Sequence, residues 1–167
     1  MSALITDISV LRPEHRHALQ LHLLSLSADD RYQRFGATLG DAALIQWVRD
    51  MAWSRSCWYG AWAGADAGLV GVLQLIPLNA KGVWEMALTV RPAARRSGVG
   101  SAMFATLMQD ISSYPIRELV CHNGHPAVRR MAEVLKLAMC CQPQAPRIRI
   151  NLTTVTHSGA VDICHRR

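Results

Sequence analysis

The stretch GVWEMALTVRPAARRSGVGSAM, residues 82–103, constrains the fold more than any other part of the chain. Its start, rich in β-branched and aromatic side chains, reads as a strand, and Pro92 breaks that pattern. After the loop RRSGVG the apolar period becomes helical. Val99, Met103, Leu107 and Ile111 line one face, and Tyr114-Pro115 stops the run. A strand that passes through a glycine loop into a helix belongs to a sheet with crossover connections.

The rest of the chain arranges itself around that junction. ALITDIS predicts an opening strand. Residues 12–27 carry Leu19, Leu23 and Leu26 at helical spacing, with Pro13 in the tolerated first turn. SADDRYQRFG begins with Ser27, a residue suited to capping, and closes with Gly36. Asp41 is read as the cap of a second helix, AALIQWVRDM, which offers Leu44, Ile45, Trp47 and Val48 for burial. CWYGAWAG and GLVGVLQLIPL read as strands joined at ADAG, and Asn79–Gly82 as the turn before the third strand. IRELVCH is a strand, HPAVRRMAEVLKLAM a helix with Val128, Met131, Ala132 and Leu135 inward, and RIRINLTTV a closing strand. The order reads β-α-α-β-β-β-α-β-α-β-β. It predicts one mixed α/β domain over residues 1–167, a mostly antiparallel sheet flanked by helices, with the part played by 153–167 left open.

Composition narrows the classes. No window holds the roughly 18 apolar residues of a membrane span, and MSALITDISVLRPEH lacks the pattern of a signal peptide. Asn151-Leu152-Thr153 is therefore read as a chance match to a glycosylation site. The 5 cysteines, an odd number without a Cys-x-x-Cys pair, fit a reducing compartment, so the expectation is a cytoplasmic protein. His157, Cys164 and His165 are too loosely spaced to argue for a metal, and none is expected. The net charge is +6, with sixteen of the 18 basic residues arginine, which favours anionic partners or merely solubilises the chain. A basic nucleic-acid-binding protein would show affinity that falls steeply with salt, but no recognition motif supports that reading.

The loop carries the first functional signal. Unpaired N–H groups and the positive end of the dipole lie at a helix N-terminus. Glycines admit a phosphate close to that backbone, and Arg95 and Arg96 add charge. RRSGVG is thus either a pyrophosphate cradle or a tight strand-to-helix connection with Ser97 as N-cap. A nucleoside-triphosphate loop would need Gly-Lys-Ser/Thr, and a dinucleotide fingerprint a third glycine where Met103 stands.

With both flanks, EMALTVRPAARRSGVGSAM resembles the central motif of the GNAT superfamily of N-acetyltransferases, in which a strand leads into Arg/Gln-x-x-Gly-x-Gly/Ala. LSADDRYQRFG is similar to a segment of members that include bacterial protein-lysine acetyltransferases. The resemblance spans roughly residues 3–150 and implies acetyl-CoA as cosubstrate, a primary amine (small molecule or protein lysine) as acceptor, and direct transfer. It implies that the backbone of Leu88, Thr89 and Val90 pairs with the pantetheine arm and that the Leu88 N–H polarises the thioester carbonyl. It further implies that Arg96, Gly98, Gly100 and Ser101 offer N–H groups to the phosphates, that Arg95 adds charge, and that Ser97 and Val99 complete the loop. The oligomeric state, a homodimer included, is not legible.

Removing a proton from the amine requires a base. Glu85 is the candidate, because it interrupts an apolar strand and WEMA resembles the family's AEFA-like strands. The competing reading is a strand glutamate paired with an arginine or exposed at an edge. The tyrosine that many members use as acid has Ala132 in its place, which leaves water, the thiolate, Cys121 or His122; His125 and Asn123 lie near the family's usual asparagine. This departure motivates a second reading, a catalytically weak acyl-CoA-binding or regulatory domain. Arg31, Tyr32, Arg34 and Phe35 are placed to meet an acceptor, although Tyr32 and Phe35 are more readily core. Trp47, Trp53, Trp58 and Trp62 read as packing, and an acceptor slot near Trp84 stays open.

Overall fold

Turn chemistry and apolar strands build the centre of the molecule first. In the computed structural model, which describes residues 5–64, 68–141 and 147–152, strands β2 (Cys57–Ala63), β3 (Leu69–Pro77) and β4 (Val83–Val90) form an antiparallel meander. The Asn79 side chain sets the turn into β4, its Oδ1 accepting the N–H groups of Lys81 at 2.9 Å and Val83 at 3.3 Å. β1 (Ile5–Val10) pairs with β2, and beyond β4 lie β5 (Glu118–Cys121), β7 (Ile148–Asn151) and β6 (Ala138–Cys141). The order across the seven strands is β1-β2-β3-β4-β5-β7-β6. Among the described pairs, β4 with β5 is the parallel one, and the crossover that parallel pairing requires is α4 (Val99–Asp110). The ADAG connection between β2 and β3 lies largely outside the described residues, as do Thr153–Val155 of the predicted last strand.

Helices cover both faces. α1 (Arg16–Leu24) and α3 (Asp41–Asp50) bury Leu19, Leu23 and Val48 against Trp58, Leu69 and Val72. α4 and α5 (Pro126–Val134) bury the other face, with Val99, Met103, Leu107 and Ile111 inward as their spacing predicted. β3 is buried along nearly its whole length because both layers meet on it. α4 sits so close to β3 that a Cβ on Gly71 would stand 2.6 Å from Met103 Sδ and 2.8 Å from Val99 Cγ1. Met103 can swing aside, whereas the β-branched Val99 is stiff. Gly71→Val is therefore expected to cost about 1–3 kcal/mol, read as a lowered urea midpoint at unchanged slope.

Four expectations need correction. A third early helix, α2 (Ala28–Phe35), forms where two helices were predicted. Its ends are well signalled, since Ser27 and Asp30 make a reciprocal capping box and Gly36 closes it at φ +71°. No residue of α2 is fully buried, so it lacks the apolar stripe by which helices are read. α3 starts at Asp41 with Gly40, not Asp41, as its cap, and Ile45 on it is exposed. α5 ends at Val134 and Lys136 turns left-handed at φ 54°, so Leu135 is exposed and Ala138–Met139 belong to β6. Tyr32 is 56% exposed, not core, while Phe35 packs edge-on against Trp47 at 5.2 Å.

Candidate active site

Strand alternation sorts the central residues onto two faces. Trp84, Met86, Leu88 and Val90 join the core under α4 and α5. Glu85, Ala87 and Thr89 face the α1–α2 layer, where the Thr89 hydroxyl meets Nε2 of His22 at 2.9 Å. β5 pairs with β4 only from Val83 to Glu85, so the strands diverge from Met86 onward. The backbone groups of Met86, Leu88 and Val90, which point away from β3, therefore face a gap on the β5 side, and a ligand able to pair with them fits there.

Glu85 stands in the fork between the strands. Its Oε2 is 3.5 Å from Nε2 of His122, just past the end of β5, and its side chain is 23% exposed. Its direct ion-pair partner is thus a histidine and not an arginine. Cys121 lies beside it on the buried face. Burial, with the Glu85 charge adding to it, pushes that thiol up to about 12, so it stays protonated and is no nucleophile.

The glycine loop opens α4. Gly98, at φ +87°, is the N-cap, and Ser97 is not: its hydroxyl donates to the Ala94 carbonyl at 2.6 Å. Arg96 also adopts a left-handed conformation, φ 59°, a strained state for a residue with a Cβ and one that gathers at ligand loops. The first helical bond runs from Ala102 N–H to the Gly98 carbonyl, so the N–H groups of Val99, Gly100 and Ser101 have no partner within the helix. Gly100 leaves room as well: a Cβ there would come no closer than 3.5 Å, to Leu88 Cδ2. Arg95 is held at the rim, where Nε donates to the Val90 carbonyl at 3.1 Å and Nη2 pairs with Asp30 at 2.6 Å. Burial opposes ionisation of Asp30, but bonds from Ser27 and Arg95 outweigh it and keep the carboxyl below its ordinary range.

One cleft of about 1170 Å³ connects this loop with Glu85. Its outer wall is α2, which presents Arg34 and Phe35 to it. Arg31, by contrast, binds the carbonyls of Leu24, Leu26 and Leu39 together with Asp41, and so anchors the helix from behind. The Asn123 amide donates to the Gln33 carbonyl and closes the cleft over α2. His125 caps α5, its Nδ1 accepting the Ala127 N–H at 3.1 Å, and Ala132 is fully buried. Trp84 packs on Tyr114 at 6.2 Å, on the face opposite Glu85, so no acceptor slot forms beside it; Phe35 and Phe104 are the phenylalanines that line the cleft. The sequence reading missed Asp30 and Gln74. A single polar residue in GLVGVLQLIPL was the available signal for Gln74, which is 4% exposed.

Residues 21–135 match the model of the acetyltransferase (GNAT) family. The chain belongs to that family. Solved GNAT structures share its fold. The GNAT domain of S. lividans PAT superposes with a TM-score of 0.64 at 13% identity, over 86% of this chain and 87% of that one. The structure of yncA from Salmonella typhimurium, with its cofactor acetyl-CoA, gives 0.63 at 11% identity over 95% and 98%. A spermidine N-acetyltransferase chimera from Vibrio cholerae gives 0.64 at 11% identity over 92% and 100%. No curated protein matches the chain. In this GNAT protein the glycine loop and the ends of the diverging strands line one cleft. Among the described residues no helix is long and apolar enough to cross a membrane, and no three metal-type side chains gather. His157, Cys164 and His165 lie outside the described residues.

Proposed function

We propose that this GNAT protein is an N-acetyltransferase that moves an acetyl group from acetyl-CoA directly to a primary amine, with Glu85 as the base. The observation that carries the reading is the single cleft joining the unpaired N–H groups at the start of α4 to the carboxylate in the β4–β5 fork. The loop fits a pyrophosphate on its own terms: left-handed Gly98, open space at Gly100, and the positive end of a 12-residue helix.

Arg96, Gly98, Val99, Gly100 and Ser101 would hold the phosphates by backbone N–H, Arg95 and Ser97 shaping the loop's rim, and the Leu88–Val90 edge would take the pantetheine arm. Thr89 would take no part, since its backbone groups pair with Val72 of β3 and its side chain is engaged by His22. When bound, acetyl-CoA supplies the acyl group: the amine nitrogen bonds to the acetyl carbon, the C–S bond breaks and the thiolate leaves. Glu85 accepts the proton the amine gives up, and His122 beside it orients the carboxylate. Leu88 N–H stabilises the developing oxyanion. The leaving thiolate takes its proton from water, which the open cleft admits.

Gly100→Glu separates binding from folding. A Cβ fits at that position, and an acid in the first turn suits the helix dipole, so the melting temperature should hold. A carboxylate beside the pyrophosphate should raise the Kd for acetyl-CoA about 10²-fold in titration calorimetry. An unchanged Kd would remove the cradle, and no binding by the wild type would remove the whole reading. The buried Ala132, where many relatives carry a tyrosine, favours a second reading, a weakly active acyl-CoA-binding or regulatory domain. Tight acetyl-CoA binding without turnover of any amine would select it.

A further inference from the structure

Arg34 is a cation built into the acceptor half of the cleft. It projects from α2 onto the sheet face that carries Glu85, and its Nη2 donates to Oε1 of Gln74. Gln74 is buried in β3, directly opposite Ala87 and two residues along β4 from Glu85. Its own amide is fixed by donating to Ser56 Oγ at 3.0 Å. The Arg34 guanidinium carbon sits 4.9 Å from the Phe35 ring and 5.9 Å from that of Trp47. A neutral amide and two aromatic rings thus set the plane of the fork before any ligand arrives.

Among the described residues no carboxylate lies within ion-pair distance of Arg34. Burial draws the guanidinium down to about 10, with Glu85 opposing the drop, so it is still charged at neutral pH. A partly desolvated cation bonded to a neutral amide is unfavourable by itself. A planar fork with free N–H groups suits one ligand group above others, a carboxylate bound through both oxygens.

We propose that the acceptor is a free α-amino acid, its ammonium group facing Glu85 and its own carboxylate paired with Arg34. The assignment rests on the N-acetyltransferase reading above and sharpens it. A small molecule with its amine and carboxylate on one carbon can serve two opposite charges on the same stretch of sheet. A polyamine would bring a second cation against Arg34. A lysine side chain in a protein has no carboxylate near its amine, so the fork would go unused.

The test is a steady-state panel on the intact protein with saturating acetyl-CoA: L-α-amino acids, the carboxamide of each, spermidine and a lysine peptide. Wild type, Arg34→Gln and Arg34→Lys are compared, with the melting temperature and acetyl-CoA affinity of each recorded. In the wild type the best amino acid should exceed its carboxamide in kcat/KM by about 10²-fold or more, as expected where a site is built to bond a polar group that the analogue lacks. Arg34→Gln should lose that preference through KM, the acid falling by far more than the amide and toward the amide's level. Arg34→Lys, which keeps charge but not the fork, should fall between. Equal turnover of acid and amide by the wild type, or spermidine or peptide as the best acceptor, overturns the proposal even if Arg34→Gln fails to fold. So does an Arg34→Gln variant that slows acid and amide alike, which would place Arg34 in the chemistry. Acetyl-CoA binding without acetylation of anything on the panel would instead remove the transferase reading, and this proposal with it.

Discussion

Glu85→Gln is expected to lower kcat for amine acetylation by about 10²- to 10⁴-fold, the range over which a positioned base acts, and to leave the Kd for acetyl-CoA unchanged. The change replaces one oxygen by an amide nitrogen in a side chain that is 23% exposed, so neither packing nor the sheet should respond. The pyrophosphate loop is a separate part of the cleft and should bind as before. Single-turnover acetylation with the best acceptor, beside calorimetry with acetyl-CoA, separates the two effects. A kcat within threefold of wild type would mean that the amine arrives deprotonated or that another group takes the proton. His122 would then be the first residue to examine, because its Nε2 already lies 3.5 Å from the carboxylate.

Acid should weaken the fold through His22. The residue is fully buried under α1, with Nδ1–H donating to the Leu69 carbonyl at 3.3 Å and Nε2 accepting from the Thr89 hydroxyl at 2.9 Å. Burial is the main cause that takes its pKa down to about 4; the bond to Leu69 works against the shift, and the Arg91 charge adds to it. In the unfolded chain the imidazole titrates near its ordinary value of about 6.5. Between these values the unfolded state binds the extra proton, so stability is complete above pH 6.5 and falls as the pH drops toward 4. The loss over that window amounts to about 3 kcal/mol. Urea midpoints of wild type and His22→Gln, measured from pH 7.5 to 4, isolate the effect, since carboxylate contributions common to both cancel in the difference. The variant should be less stable at neutral pH and lose less on acidification. Parallel curves would show that the imidazole finds water or a counter-charge when protonated.

Much of this molecule is legible from neighbouring residues. The face of α4, the Asn79 turn, the paired caps of α2 and the glycine loop with its arginines all arise from groups within a turn or two of each other. Their physics is local: periodic apolar side chains, a hydroxyl that reaches an N–H three residues on, a backbone that needs glycine to turn left-handed. Strand alternation likewise separates Glu85 from Trp84 once β4 is recognised. The same alternation turns Trp84 into the core under α4 and α5, away from the face that carries Glu85.

Other features required the assembled sheet. Gly98 rather than Ser97 caps α4 because the Ser97 hydroxyl is drawn back to the Ala94 carbonyl, a competition between acceptors that residue type does not decide. The β4–β5 fork depends on where a parallel pairing stops, which neither strand encodes alone. Arg95 meets Asp30, and Arg34 meets Gln74, across 65 and 40 positions of chain. The sequence by itself determined most of the elements, though not α2, together with the loop that suits a pyrophosphate and the glutamate in an apolar strand, because those follow from local propensity and spacing. Tertiary structure alone decided which arginine is bound at the rim, which one lines the cleft beside Gln74 and how Glu85 is partnered, because a charge takes its role from the groups that folding brings within a few ångströms of it.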